Sequence, residues 1–397
     1  MRADGRTGGQ ADRRTGGQAD RAAGSRQWKG ASDQEGREDG GEPQRAEPSA
    51  RPPVRPSATL VIQTAFLGDV ILTTPLLTVL AERHGPVDVV VTPGAAALLE
   101  GHPAVRRVIR YDKKERDAGL KGFRRLAAEL RRRGYARAYL PHRSWRSAAL
   151  ALLARVPERT GFADSPAAIT YTTRMARART GHEVERLLAL AGGGAGGGGP
   201  APAVSIALDA EDEAAAERWL AERGVPAGFT AIAPGSIWGT KRWPYYPALA
   251  ASLEGPLVVV GGSEDAALAG EVAAAAPGRA WSAAGDLSLR ESAAVIRRAR
   301  VLVTNDSAPL HLSTAVGTPV AAIFGPTVPE QGFGPRGTSS LALGHVGLRC
   351  RPCSAHGPAV CPLGHHRCMR ELPVEMVAQA VARVAEAEER RAIRPRH

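Results

Sequence analysis

TLVIQTAFLGDVILTTPLL, residues 59–77, decides the fold class. An apolar, β-branched run ends in a Gly68-Asp69 turn, and an amphipathic helix follows at once. VLVTNDSAPLHLSTAVGTPVAAIFGPT, residues 301–327, repeats the plan with an Asn305-Asp306-Ser307 turn. A strand feeding a helix through such a turn stands at the carboxyl edge of a parallel sheet, where open α/β folds bind ligands. Unpaired N–H groups at the helix start favour an anion there. One copy in each half of the chain predicts two doubly wound, Rossmann-like α/β domains facing each other across a cleft.

The flanking sequence fits that plan. Apolar runs at 59–64, 87–92, 105–111 and 136–140 read as strands, with helices at 69–84, 121–133 and 145–154 between them. Strand–helix alternation with short links argues for parallel βαβ units. In the second half, strands are expected at 204–208, 230–234, 256–261, 301–304 and 319–324. Helices are expected at 210–223, 244–253, 264–276, 288–298 and 307–316, and Pro373 opens a last, closing helix to about Arg391. The organisation that follows is a first domain over 58–190, a glycine-rich linker over 191–203, a second domain over 204–372, and a closing helix and tail over 373–397. Two lobes joined by a flexible segment are expected to close on each other. Residues 1–57 carry a duplicated RTGGQADR and little apolar side chain, so a disordered tail is expected.

Composition narrows the function classes. With 43% hydrophobic residues in 397, the chain can bury two ordinary cores. No apolar run reaches the roughly 18–20 residues that span a bilayer. The amino terminus lacks the apolar stretch of a secretory signal, so a cytoplasmic location is expected. The formal charge is +12. Residues 121–159 hold eleven Lys or Arg against two Glu, which accounts for most of that excess. Such a patch suits phosphate-rich glycolipid, a membrane surface or nucleic acid, or is a solvated helix face. Nucleic acid is disfavoured, because the basic stretch holds only scattered Phe, Tyr and Trp and no recognised docking module.

Five segments carry the chemistry. Asp69 opens a helix; it can be an N-cap-region carboxylate or a general base on a rigid element. In APGSIWGTKRWP (233–244), Lys241 can neutralise a leaving diphosphate as a mobile point charge, with Ser236 and Thr240 donating to phosphate oxygens. The glycine spacing and Lys-Ser/Thr order of a P-loop are absent. In VVVGGSEDAAL (258–268), Glu264 follows a strand, where nucleotide-binding domains hold ribose hydroxyls, although acids suit any helix start. In NDSAPLHLSTAVGTP (305–319), Asp306, Ser307 and the following backbone can meet phosphate, and His311 lies one turn on. Cys350, Cys353, Cys361 and Cys368 fall in CRPCSAHGPAVCPLGHHRC, which points to a structural zinc site or to reduced thiols in a packed loop.

FLGDVILTTPLL, PGSIWGTKRWP, NDSAPLHLSTAVGTPVAAIFGPT and CPLGHHRCM, in that order, resemble the bacterial lipopolysaccharide heptosyltransferases of glycosyltransferase family 9, and the heptosyltransferase II branch in particular. SWRSAALALLARVPERTGF (144–162) adds to the likeness, which covers about 58–390. The resemblance implies a GT-B fold and inverting transfer of heptose from ADP-heptose to the Kdo/heptose–lipid A inner core, without a catalytic cofactor, at the inner face of the cytoplasmic membrane. It makes Asp69 the base and Lys241 the holder of the diphosphate. Asp306, Ser307, Ala308 and His311 would line the donor pocket and Glu264 the ribose or adenine side. Arg143 and Arg146 would then grip the acidic acceptor. Pro309 departs from the flexible residue expected beside the donor, and the long amino-terminal tail has no counterpart in the family.

Overall fold

The computed structural model describes residues 58–192 and 200–393. The expected tail (1–57) and most of the expected linker (193–199) lie outside the described residues. In the first lobe, β1 (Thr59–Ile62), β2 (Val87–Val91), β3 (Val105–Arg110), β4 (Arg137–Leu140), β5 (Glu158–Phe162) and β6 (Thr173–Met175) form one parallel sheet ordered β3-β2-β1-β4-β5-β6. Helices α1 (Leu67–His84), α2 (Pro93–Ala96), α3 (Gly119–Arg133), α4 (Trp145–Leu153) and α5 (Glu183–Leu188) accompany it.

The second lobe repeats the design. Its strands are β7 (Thr230–Ala233), β8 (Leu257–Val259), β9 (Ala280–Ser282), β10 (Val301–Asn305), β11 (Val320–Phe324) and β12 (Leu341–Gly344), ordered β12-β11-β10-β7-β8-β9. Its helices are α6 (Ala210–Glu222), α7 (Tyr246–Ser252), α8 (Ala266–Ala274), α9 (Leu289–Arg298), α10 (Ala308–Val316), α11 (Arg367–Arg370) and α12 (Val374–Ile393). In chain order both sheets run 3-2-1-4-5-6, so each has a topological switch point beside its first strand, between β1 and β4 and between β7 and β10. Those two crevices are where the motifs of residues 59–77 and 301–327 end.

Local chemistry shapes the two helices that matter most. Pro75 interrupts α1 and removes the N–H that would serve the Ile71 carbonyl; the Thr74 hydroxyl donates to that carbonyl instead, at 2.8 Å, so the helix continues. α10 takes Pro309 within its first turn, where no intrahelical donor is lost. Gly317, at φ 82°, then ends it in the left-handed conformation. Pro309 is therefore compatible with the helix start at the donor side.

α1 and α10 pack on each other, and one apolar cluster runs from Val61 and Leu76 in the first lobe to Leu310 and Phe324 in the second. Two polar seams reinforce it. Arg290 donates to the Glu100 carbonyl at 2.8 Å while paired with Asp212. Glu183 N–H donates to the Gly332 carbonyl at 2.8 Å, and Arg186 to that of Gln331 at 2.7 Å. The expected strand at 204–208 does not form. That stretch crosses between the lobes, its Ser205 N–H donating to the Thr74 hydroxyl at 3.1 Å and its Ser205 hydroxyl meeting His102 at 3.2 Å. α12 packs on α7, β10, β11 and β12 of the second lobe.

Candidate active site

Asp69 stands at the third position of α1, and its Oδ2 accepts from the Phe66 N–H at 3.3 Å. That tether aims the carboxyl into the space between the lobes. Burial, and then the charge of Glu183, push Asp69 up to about 6, against the partial opposition of the Phe66 N–H and Arg177. Arg177 is itself engaged by Glu183 through two bonds of 3.0 and 2.6 Å.

Next to it Gly68 meets the opposite lobe. A Cβ at this position would come within 2.6 Å of His311 Cδ2, closer than carbon atoms pack. Glycine is required here for close approach. Gly68→Ala is expected to hold the lobes apart and lower kcat/KM roughly 10²-fold, the effect of misplacing reacting groups by about an ångström. Steady-state kinetics beside a melting curve separates that from simple unfolding.

On the facing wall, Lys241 is buried, and its Nζ donates to Asp306 Oδ2 at 2.6 Å and to the Asp306 carbonyl at 3.1 Å. Thr327 donates to the same carboxylate oxygen at 2.6 Å. The lysine expected to be a mobile point charge is thus a fixed one with a third donor in hand. Asp306 is its counter-ion and orienter, a role that suits a carboxylate better than direct contact with phosphate. Asn305 locks the neighbouring loop, donating to the Pro234 carbonyl at 2.8 Å and accepting from Trp243 N–H at 3.2 Å. His311 is buried, and desolvation is the main cause that lowers it to about 4, so the ring is neutral at physiological pH. It is a hydrogen-bonding or packing group there, not a cationic clamp.

Asp69, Ser236, Lys241, Glu264, Asp306, Ser307, Ala308 and His311 all line one cavity of about 460 Å³ between the lobes. Not every expected residue joins them. Thr240 donates its hydroxyl to the Pro358 carbonyl and is outside the cavity lining. Arg143 pairs with Asp164 at 2.7 Å, and Arg146 reaches the Tyr111 hydroxyl at 3.4 Å; neither lines the cavity.

For the cysteine segment the sequence leaves a structural zinc site and reduced thiols in a packed loop both open. Among the described residues, no group of three or more His, Cys, Asp or Glu is placed to hold a metal ion. Cys353 donates its thiol to the Cys350 carbonyl at 3.2 Å, and Cys368 is buried. Desolvation pushes the Cys353 thiol up and that of Cys368 to about 11, while at Cys361 desolvation is outweighed by the backbone N–H groups of His366, Leu363, Gly364 and His365, which hold the thiol below its ordinary value. Cys350, Cys353 and Cys361 line one small pocket, separate from the interlobe cavity. The segment forms a wall behind Lys241: Gly357, at φ 80°, would bring a Cβ within 3.3 Å of Lys241 Cε, and His366 meets the Thr240 carbonyl at 2.8 Å.

Some lining residues escaped the sequence reading. Asp265 sits against Gly235, where a Cβ would be 2.3 Å from its carboxylate, and burial raises it above the usual range. Its place after the β8 turn, one residue beyond Glu264, was the available signal. His356 enters the cavity from the cysteine segment and lies 6.0 Å from the Phe66 ring, a contact that no local pattern announces.

Comparison with known proteins agrees with this architecture. Residues 123–360, more than half the chain, match glycosyltransferase family 9 (heptosyltransferase). The chain belongs to that family. Lipopolysaccharide heptosyltransferase 1 of Pseudomonas aeruginosa is 31% identical over 314 residues, 74% of this chain and 85% of that protein. Lipopolysaccharide heptosyltransferase 2 of Escherichia coli is 28% identical over 293 residues, 68% of this chain and 83% of that protein. The crystal structure of the glycosyl transferase family 9 from Veillonella parvula superposes with a TM-score of 0.75 at 23% identity, covering 83% of this chain and 98% of that one. This family 9 glycosyltransferase therefore has the GT-B arrangement of two facing Rossmann-like lobes, with the cavity between them. No helix among its described residues is long and apolar enough to cross a membrane.

Proposed function

We propose that this family 9 enzyme moves heptose from ADP-heptose to a hydroxyl of the Kdo/heptose–lipid A inner core, in the manner of a heptosyltransferase II and with inversion. The observation that carries the reading is a raised carboxyl, Asp69, and a fixed, buried ammonium, Lys241, on opposite walls of one cleft. In the proposed step the acceptor oxygen attacks the anomeric carbon while Asp69 takes its proton. The bond from that carbon to the diphosphate breaks on the opposite face, and ADP leaves with the electron pair. Lys241 and the first turn of α10 stabilise the charge that develops on the diphosphate. One displacement inverts the anomeric centre, so no covalent carboxylate partner is needed. Ser236 and Ser307 are in reach of donor oxygens, and Glu264 belongs to the nucleoside side. The two arginines, 143 and 146, retain an acceptor role only if the acceptor extends beyond the cleft.

The test is transfer by purified protein from ADP-heptose, against UDP-, GDP- and dTDP-sugars, to acceptors carrying no heptose or one. Preference for another nucleotide, or inactivity with ADP-heptose on both acceptors, overturns the assignment. A base held near 6 also fixes the pH dependence. Protonated Asp69 cannot accept a proton, so kcat/KM should fall about tenfold per unit below pH 6 and level off above it. His311, lowered to about 4, stays neutral across that range and contributes no limb there. An acid limb at pH 4 would place the base elsewhere.

A further inference from the structure

We infer that α3, α4 and the turn at residues 168–170 form a docking face for an anionic lipid bilayer. Along α4, Trp145, Ala149, Leu152 and Leu153 recur at i, i+4, i+7 and i+8, the spacing of one helix face. Trp145, Leu152 and Leu153 are 46–54% exposed, and Ile169 on the adjoining turn is 78% exposed. α4 packs against both α3 and that turn, so these exposed side chains stand on neighbouring elements of the first lobe, and Leu120 of α3 is exposed as well.

Cations frame it. Arg125 is paired with Asp117, Arg133 with Glu129 and Arg143 with Asp164. Lys121, Arg124, Arg131, Arg132, Arg146 and Arg155 make no ion pair among the described residues, and all six are exposed. Exposed aliphatics and a tryptophan on the same helices as unpaired, exposed cations match the layering of an anionic membrane, with apolar groups sinking to the acyl boundary and ammonium or guanidinium groups at the phosphates. A second copy is a poor occupant, because a two-fold contact would set the same basic rim against itself.

Position adds a reason. α4 begins beside the cleft mouth: Thr64, in the loop leading to Asp69, meets Ser147 of α4 at 3.4 Å and His142 just before it at 3.5 Å. Under the reading proposed above, the acceptor sugar hangs from a lipid. A face running outward from the acceptor wall would then hold the enzyme where that sugar emerges. The face itself does not depend on that reading.

Flotation with vesicles, in the absence of nucleotide sugar and acceptor, tests the surface separately from the activity. At low salt the full chain should float with phosphatidylcholine vesicles containing about a third phosphatidylglycerol, and much less with phosphatidylcholine alone. Arg124→Gln/Arg131→Gln/Arg132→Gln should weaken binding roughly a hundredfold, at about fivefold per charge removed. Leu152→Ser/Leu153→Ser/Ile169→Ser should weaken it at least about tenfold. All six positions are solvent-facing, and unchanged melting curves would establish that both variants fold. Transfer to a soluble, delipidated acceptor should be unaffected, while transfer to an acceptor embedded in vesicles falls with vesicle binding. No flotation of the unaltered chain with anionic vesicles overturns the inference, as does equal flotation by both variants. A concentration-dependent dimer that the Leu152/Leu153/Ile169 variant abolishes would give the face to a second copy instead.

Discussion

Asp69→Asn should lower kcat by roughly two to four orders of magnitude, the span expected for a lost general base, and should at the same time make the protein more stable at pH 8. Both effects come from one carboxyl. Asn keeps the size of the side chain and an oxygen to accept from the Phe66 N–H, so the start of α1 is preserved. It removes a negative charge that the fold disfavours. The group is held near 6 in the folded protein against 3.8 in a free chain, so the native state binds its proton more tightly than the unfolded state does. Stability is therefore lost as pH rises between those values and stays reduced above about 6. The cost at pH 8 is at most about 3 kcal/mol, at 1.36 kcal/mol per unit. A melting temperature raised by a few degrees at pH 8 and unchanged at pH 3.5 is the expected pattern. Donor affinity, measured by calorimetry with ADP, should change less than about twofold, since Asp69 meets the acceptor in the proposed step. Near-normal kcat would remove Asp69 from the chemistry. Lost activity with a lowered melting temperature would reduce it to a structural residue.

What the sequence discloses here follows from where each element lies in its sheet. β1, β2, β10 and β11 are buried on both faces, so they read as mainly apolar, β-branched runs, Asp88 in β2 and Thr304-Asn305 in β10 aside, and their bounds are legible to within a residue or two. β5 reads ERTGF, which gives no apolar run: it lies next to the edge strand β6 and only Gly161 and Phe162 of it are fully buried. Its Gly161 serves packing, as a Cβ there would lie 2.3 Å from the Tyr171 ring. β6, β9 and β12 are three- or four-residue strands, β6, β9 and β12 lying at sheet edges, and equally silent. Residues 204–208 failed in the other direction: their apolar alternation serves a crossing segment whose Val204 joins the interlobe core. Within the site, single-residue candidates on the strand–turn–helix edges, such as Asp69 and Ser307, were legible because topology brings those edges to the cleft. Partnerships were not. Nothing local predicts that Lys241 pairs with Asp306 across 65 positions, or that Pro358 claims the Thr240 hydroxyl.

That pairing supplies the second large effect. Lys241→Met should cut kcat/KM for the donor by roughly 10²–10³, the loss expected when one preorganised group facing developing charge is removed. It should also destabilise the protein by about 3–5 kcal/mol, because Asp306 is left as a buried carboxylate with only Thr327 and no opposite charge. The two consequences can be separated by removing the orphaned charge as well. In Lys241→Met/Asp306→Asn, the neutral amide still accepts from Thr327, so most of the lost stability should return. Donor use should not return, since the ammonium that faces the diphosphate is still missing. Asp306→Asn alone should leave Lys241 in place but loosely held, with a rise in donor KM smaller than the loss in Lys241→Met. If the double variant recovered activity together with stability, Lys241 would be part of the scaffold, and the charge that accompanies departure of the nucleotide would have to be met by the first turn of α10 alone.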